Sequence, residues 1–98
     1  MEPSELSLLI RLASKYIWWQ TPEEAVSMPE RVIAQVMNIG DYRDVQALAE
    51  QIGDLRLQQV LSNAEAGQFT PRSWAYWHYR LRTAAFGQVP ELPKRSFG

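Results

Sequence analysis

Three groups of residues carry the types that could do chemistry. His78 is the single histidine of the chain, and an imidazole titrates where acid–base work is done. Asp41 and Asp44 form an Asp-x-x-Asp pair that could sketch a metal site. Arg72, Tyr76, Tyr79 and Arg80 bring two guanidiniums and two phenols into one short stretch. Such groups suit contacts to carboxylates, phosphates or a protein surface. Each group also has a plainer reading. At about 100° per residue, Trp74, Trp77, His78 and Leu81 share one arc of a helix. His78 therefore reads as a hydrogen-bonded core residue. Asp41 and Asp44 fit the N-cap and third position of a helix start, where negative charge is favoured. Arg72, Tyr76, Tyr79, Arg80 and Thr83 fall on the opposite arc and should face something other than the core. No His-x-x-x-His pair, Gly-rich phosphate loop or Gly-x-Ser-x-Gly elbow occurs. We expect no enzyme activity, with no catalytic residue, metal or cofactor.

The elements that position these residues are helical. Thr70 and Pro71 are a strong helix start, and the helix they open fades near Ala84 to Phe86. A first helix runs from Ser4 to about Trp19, with Leu6, Leu9, Ile10, Ala13 and Ile17 as its core stripe. Leu8, Leu12 and Trp19 form a second apolar strip, available to a partner or to a second copy of the chain. Trp18 and Trp19 are adjacent, so both cannot point the same way. Thr21-Pro22-Glu23-Glu24 restarts the chain after that helix. Pro29 opens a third helix with Val32, Ile33, Val36 and Met37 as a narrow stripe, and Gly40 suits a left-handed C′ position. Asp41 caps a helix with Tyr42, Val45, Leu48, Ala49 and Ile52 inward, ending at Gly53. Asp54 caps one with Leu57, Val60, Leu61 and Ala64 inward, ending at Gly67. Joints of one or two residues are expected. Gly87, Pro90 and Pro93 make the rest an irregular tail, pinned by Val89, Leu92 and Phe97. No stretch alternates with period two. The expected fold is all-α, a compact array of about five to six short helices with tight Gly/Asp and Thr-Pro joints. It is a single domain over 1–98, with a helical core at 4–86 and a tail at 87–98.

The 98 residues are 46% hydrophobic and contain no cysteine. A disulfide framework and a thiolate site are excluded. The acidic start Met1-Glu2-Pro3-Ser4-Glu5 is unlike a signal peptide, and no apolar run is long enough to span a bilayer. We expect a cytoplasmic protein with no membrane contact. The net charge of −1 hides an asymmetry. Residues 1–67 hold ten acids against five bases, and residues 68–98 hold one acid against five bases. The basic end could meet a protein surface, a phosphate backbone or the acidic half of its own chain.

Two partners remain open on these grounds. The stretch from Leu55 to Arg82 has the outline of a helix-turn-helix, with Arg72, Tyr76, Tyr79 and Arg80 outward for DNA. Against DNA stands a pI near 5.8. A protein partner accounts for more features, because Tyr, Trp and Arg are enriched at interface hot spots. The partner-binding candidates are Arg72, Tyr76, Tyr79 and Arg80 on the final helix, and Leu8, Leu12 and Trp19 at the first.

Several motifs occur in a telling order. Trp18-Trp19 is followed by Arg31-Val32-Ile33-Ala34-Gln35-Val36-Met37-Asn38-Ile39-Gly40-Asp41-Tyr42-Arg43-Asp44-Val45, then Gln59-Val60-Leu61, then Thr70-Pro71-Arg72-Ser73-Trp74-Ala75-Tyr76-Trp77. The Gly-Asp-aromatic-x-Asp-Val core and the Thr-Pro-x-Ser-x-x-Tyr-Trp helix start are the most specific parts. Over residues 16–85 the chain resembles a family of small helical bacterial proteins encoded beside abortive-infection-type nucleotidyltransferase toxins, their antitoxin partners. The resemblance implies a protein that binds and restrains a nucleotidyltransferase by occluding or distorting its active site. It points to the basic, aromatic face of the final helix as the contact, because such an active site carries metal-binding carboxylates. The transferases' own Gly-Ser and paired-aspartate pattern is absent here.

Overall fold

Proline opens four of the six helices among the described residues. Its fixed φ suits a first turn, and the N–H it lacks has no intrahelical partner there. The computed structural model describes residues 3–85 and 87–94, and every regular element among them is helical. The helices are α1 (Pro3–Tyr16), α2 (Pro22–Val26), α3 (Pro29–Ile39), α4 (Tyr42–Ile52), α5 (Asp54–Ser62) and α6 (Pro71–Arg80). Side-chain caps start three of them. Thr21 accepts from the Glu24 amide, Asp41 from the Asp44 amide and Thr70 from the Ser73 amide. Asp54 does not cap: it lies inside α5, whose N-cap is Gly53. That residue also ends α4, so one glycine at φ 87° forms the whole joint. A side chain at such a positive φ is strained, which explains glycine there.

The hub is α3, which packs against each of the other five helices. Its buried surface is wider than a stripe. Ala34 is buried together with Val32, Ile33, Val36 and Met37. One core cluster joins these to Leu9, Leu48, Leu57, Leu61 and Trp77. Gly40 follows α3 with φ −63° and ψ 147°, an extended conformation and not the left-handed one expected. Space is what requires glycine. Its N–H closes on the Val36 carbonyl at 2.7 Å. A Cβ there would overlap that same oxygen and lie 2.9 Å from Val36 Cγ1. Gly40→Ala is therefore expected to cost about 1–3 kcal/mol, as overpacking does, read as a lower urea midpoint with an unchanged m-value.

The buried arc of α1 is turned by about 60° from the expected stripe. Leu9, Leu12, Ala13 and Tyr16 are buried, whereas Leu6 is exposed. Leu12 has no exposed surface at all, so it is core and not part of an outward strip. Leu8 is half-buried against that core. Both strips of α1 were apolar enough to face inward. Packing against α2, α3 and α4 selects the arc that carries Leu9, Leu12, Ala13 and Tyr16, from which Tyr16 donates to Asp44 on α4. The helix also stops at Tyr16, before Trp18 and Trp19. The α5–α6 connection is longer than expected. Its residues 63–70 form turns around Gly67, and α5 has already ended at Ser62. A helix-turn-helix uses a turn of about three to four residues, so this connection departs from that outline.

After α6 the tail crosses back over the core. Trp74 Nε1 donates to the Pro90 carbonyl at 2.7 Å, and Val89 and Leu92 pack on the cluster. The expected contact of Phe97, like Phe86 itself, lies outside the described residues. The final helix stops well short of the Ala84 to Phe86 end expected for it, residues 81–84 forming turns and bends. The described helix ends at Arg80.

Candidate functional site

Three bonds dock α6 onto the end of α3. Trp77 Nε1 donates to the Met37 carbonyl at 2.7 Å, and Ser73 Oγ donates to the Asn38 carbonyl at 2.9 Å. The Thr70 amide donates to Asn38 Oδ1 at 3.0 Å. The last carbonyls of a helix have no intrahelical donors, so α6 supplies them. This docking leaves an open groove of about 470 Å³ where α3 hands over to α4. Met37, Val45 and Trp77 lie along it, with Tyr42, Arg72 and Tyr76 among its more exposed walls.

Tyr42 was expected in the core and is 77% exposed. At about 100° per residue it sits about 120° from Leu48 and next to Gln46 on the helix wheel, a signal at the edge of the inward arc. Gln46 Nε2 donates to the Tyr42 hydroxyl at 3.3 Å. Arg80 Nη2 donates to Gln46 Oε1 at 2.9 Å, and Nη1 to the Tyr76 hydroxyl at 2.9 Å. The guanidinium also lies over the Trp77 ring, 5.0 Å from its centroid. Arg80 is thus a brace between α4 and α6, and it holds the two tyrosines of the groove in place.

The four candidates on α6 therefore separate. Arg72 and Tyr76 line the groove, and Arg80 supports it. Tyr79 is turned to the tail, where its hydroxyl accepts from the Gly87 amide at 3.2 Å. The candidates at α1 do not gather into a surface. Leu12 is core, Leu8 is packed on it, and Trp19 stands apart at 56% exposure. Trp19 meets Trp18 edge-on at 5.5 Å and borders a smaller cleft with Gln35, Glu65 and Gln68. Trp18, 81% exposed, was not among the candidates.

The two acidic candidates are tied up in structure. Asp44 is only 5% exposed and accepts from the Tyr16 hydroxyl at 2.6 Å, from Lys15 Nζ at 2.8 Å and from Arg11 at 3.3 Å. Lys15 also reaches Asp41 at 2.8 Å. The Lys15 ammonium, then the Tyr16 hydroxyl, pull the Asp44 carboxyl down to about 2. The same contacts from Asp41 and Asp44 raise Lys15. Burial, then the bond to Asp44, raises Tyr16. A carboxyl with a depressed pKa stabilises the fold above its usual value and loses that contribution as pH falls through the folded value. Asp44→Asn is expected to destabilise at pH 7 by about 1–2 kcal/mol, discounted because Lys15 is solvated. The gap to the wild type should close between about pH 4 and pH 2, read by urea unfolding across that range. Among the described residues, no group of three or more His, Asp and Glu is placed to hold a metal.

His78 is buried beside Trp74, and its Nδ1 lies 2.6 Å from Thr83 Oγ1. Burial pushes its pKa down. It belongs to the core, as its arc suggested. No helix among the described residues is long and apolar enough to cross a membrane.

No protein-family profile, no curated protein and no solved structure matches this chain.

Proposed function

We propose that this chain is a non-catalytic interaction module, an antitoxin-like partner that binds and restrains a nucleotidyltransferase in the cytoplasm. The observation that carries the reading is the groove between α3, α4 and α6. Two exposed tyrosines and a solvent-facing arginine surround an apolar floor there, the residue types that dominate binding energy at interfaces. The nature of the partner comes from the sequence resemblance over residues 16–85. Restraint would follow from covering the transferase's active site, with no chemistry by this chain. The DNA-binding reading draws less support, since the α5–α6 connection is not the short turn of a helix-turn-helix.

The first test is whether the adjacent reading frame encodes a nucleotidyltransferase; where it does, the two proteins are co-expressed. Co-elution on size exclusion and rescue of growth are the expected results. Separate elution without rescue would remove the proposal.

A further inference from the structure

The polar atoms around the groove are unevenly used. At the α3 end the acceptors are taken: the Met37 carbonyl by Trp77, the Asn38 carbonyl by Ser73, and Asn38 Oδ1 by the Thr70 amide. The donors are not. The Tyr42 hydroxyl accepts from Gln46, and the Tyr76 hydroxyl accepts from Arg80. A phenol that accepts still has its own proton to donate. Among the described residues, the Arg72 guanidinium has no ion pair or hydrogen bond. No Asp or Glu lines the groove. The site thus presents hydrogen-bond donors and one free positive charge around the apolar side chains of Met37, Val45 and Trp77.

A ligand that fits must bring an anionic acceptor and an apolar group together. We infer that the groove takes a carboxylate-bearing segment of the partner protein, an Asp or Glu beside a large apolar side chain. The inference rests on the interaction reading above. One guanidinium and two phenol donors match one carboxylate, which arginine can grip with two parallel bonds. A nucleic-acid backbone needs several cations along its track, and Arg72 is the only one lining this groove. On the α4 side, Asp41 and Asp44 are already held by Lys15 and Arg11, and Arg43, next to Tyr42 in the chain, is outside the lining of the groove. The apolar floor also suits a hydrophobic side chain better than a phosphodiester.

The test needs no transferase. A displayed library of random short peptides is panned against the full chain, with counter-selection on Arg72→Glu. That variant should fold, since an acid in the first turn of α6 favours the helix; a thermal melt checks it. Selected peptides should pair Asp or Glu with Leu, Ile, Met or Phe. Arg72→Glu should weaken the best peptide by at least about tenfold, and Arg72→Lys by less because it lacks the fork. Changing the peptide's acid to its amide should cost the wild type a similar factor and cost Arg72→Glu almost nothing. Failure to recover any binder would overturn the inference. So would binders without an acid, or acidic binders indifferent to Arg72→Glu. Tight, Arg72-dependent binding of a fluorescent DNA oligonucleotide in place of peptides would also overturn it. If acidic peptides bind and the transferase does not co-elute, the partner's identity fails while the groove's chemistry stands.

Discussion

Alanine at Tyr42 and Tyr76 together is expected to weaken binding of the proposed nucleotidyltransferase partner by about 100-fold or more, the scale of two hot-spot residues. Both rings line one groove, Tyr42 from the start of α4 and Tyr76 from the middle of α6. The cost to folding should be small. Tyr42 is exposed, and among the described residues its hydroxyl meets only Gln46. Tyr76 does pack edge-on against Trp77 at 5.3 Å, and an aromatic pair of this kind is worth about 0.5–1.5 kcal/mol. Unfolding should stay cooperative, with a modest fall in Tm. Leu55→Ala is the matched control, because Leu55 is 71% exposed on α5 and away from the groove. Titration calorimetry on these proteins, together with Trp18→Ala and Trp19→Ala, reads the result. Unchanged affinity in the tyrosine variant, with a loss on Trp18→Ala and Trp19→Ala, would move the contact to the segment that follows α1.

Trp77→Ala carries the largest expected cost to stability. The ring is 1% exposed and is the largest fully buried side chain. It fills the core at the junction of α3 and α6, and its Nε1 satisfies the Met37 carbonyl. Removing a buried Trp costs about 3–5 kcal/mol, a large share of the 5–15 kcal/mol available to a domain of this size. The expected fall in Tm is on the order of 15–30 °C. Trp77→Phe keeps much of the volume and leaves the Met37 carbonyl without its donor, a loss of about 1–3 kcal/mol. The difference between the two variants separates cavity from hydrogen bond. A Trp77→Ala protein within a few degrees of the wild type would show that α6 is docked by its Thr70 and Ser73 contacts alone. Because Trp77 is also groove floor, partner binding should weaken in both variants.

Much of the fold is legible from neighbouring residues. Thr21, Asp41 and Thr70 each cap the helix that follows because a side-chain oxygen reaches an amide three residues on. That reach is local, so sequence order is enough to see it. The two faces of α6 are legible for the same reason. Trp74, Trp77, His78 and Leu81 are buried while Arg72, Tyr76 and Tyr79 are exposed, as helical periodicity alone dictates. Two of the errors fall where two local readings were equally good. Helix α1 had two apolar strips, and Tyr42 sat at the edge of an inward arc.

By itself, then, the sequence determined an all-helical chain, most of its helix starts, the inward face of α6 and the core place of His78. The sequence also marked Arg72 and Tyr76 as outward residues, and tertiary structure decided how the site around them is assembled. Asp44 became a buried anchor because Tyr16, 28 residues earlier, was brought to it. Arg80 became a brace because Gln46, 34 residues away, lay across from it. Tyr42 became groove wall because α6 docked on the end of α3 and not over α4. A cap or a helix face is settled within one turn of chain. Whether an exposed donor keeps its proton free depends on which distant helix packs beside it, and no local pattern records that.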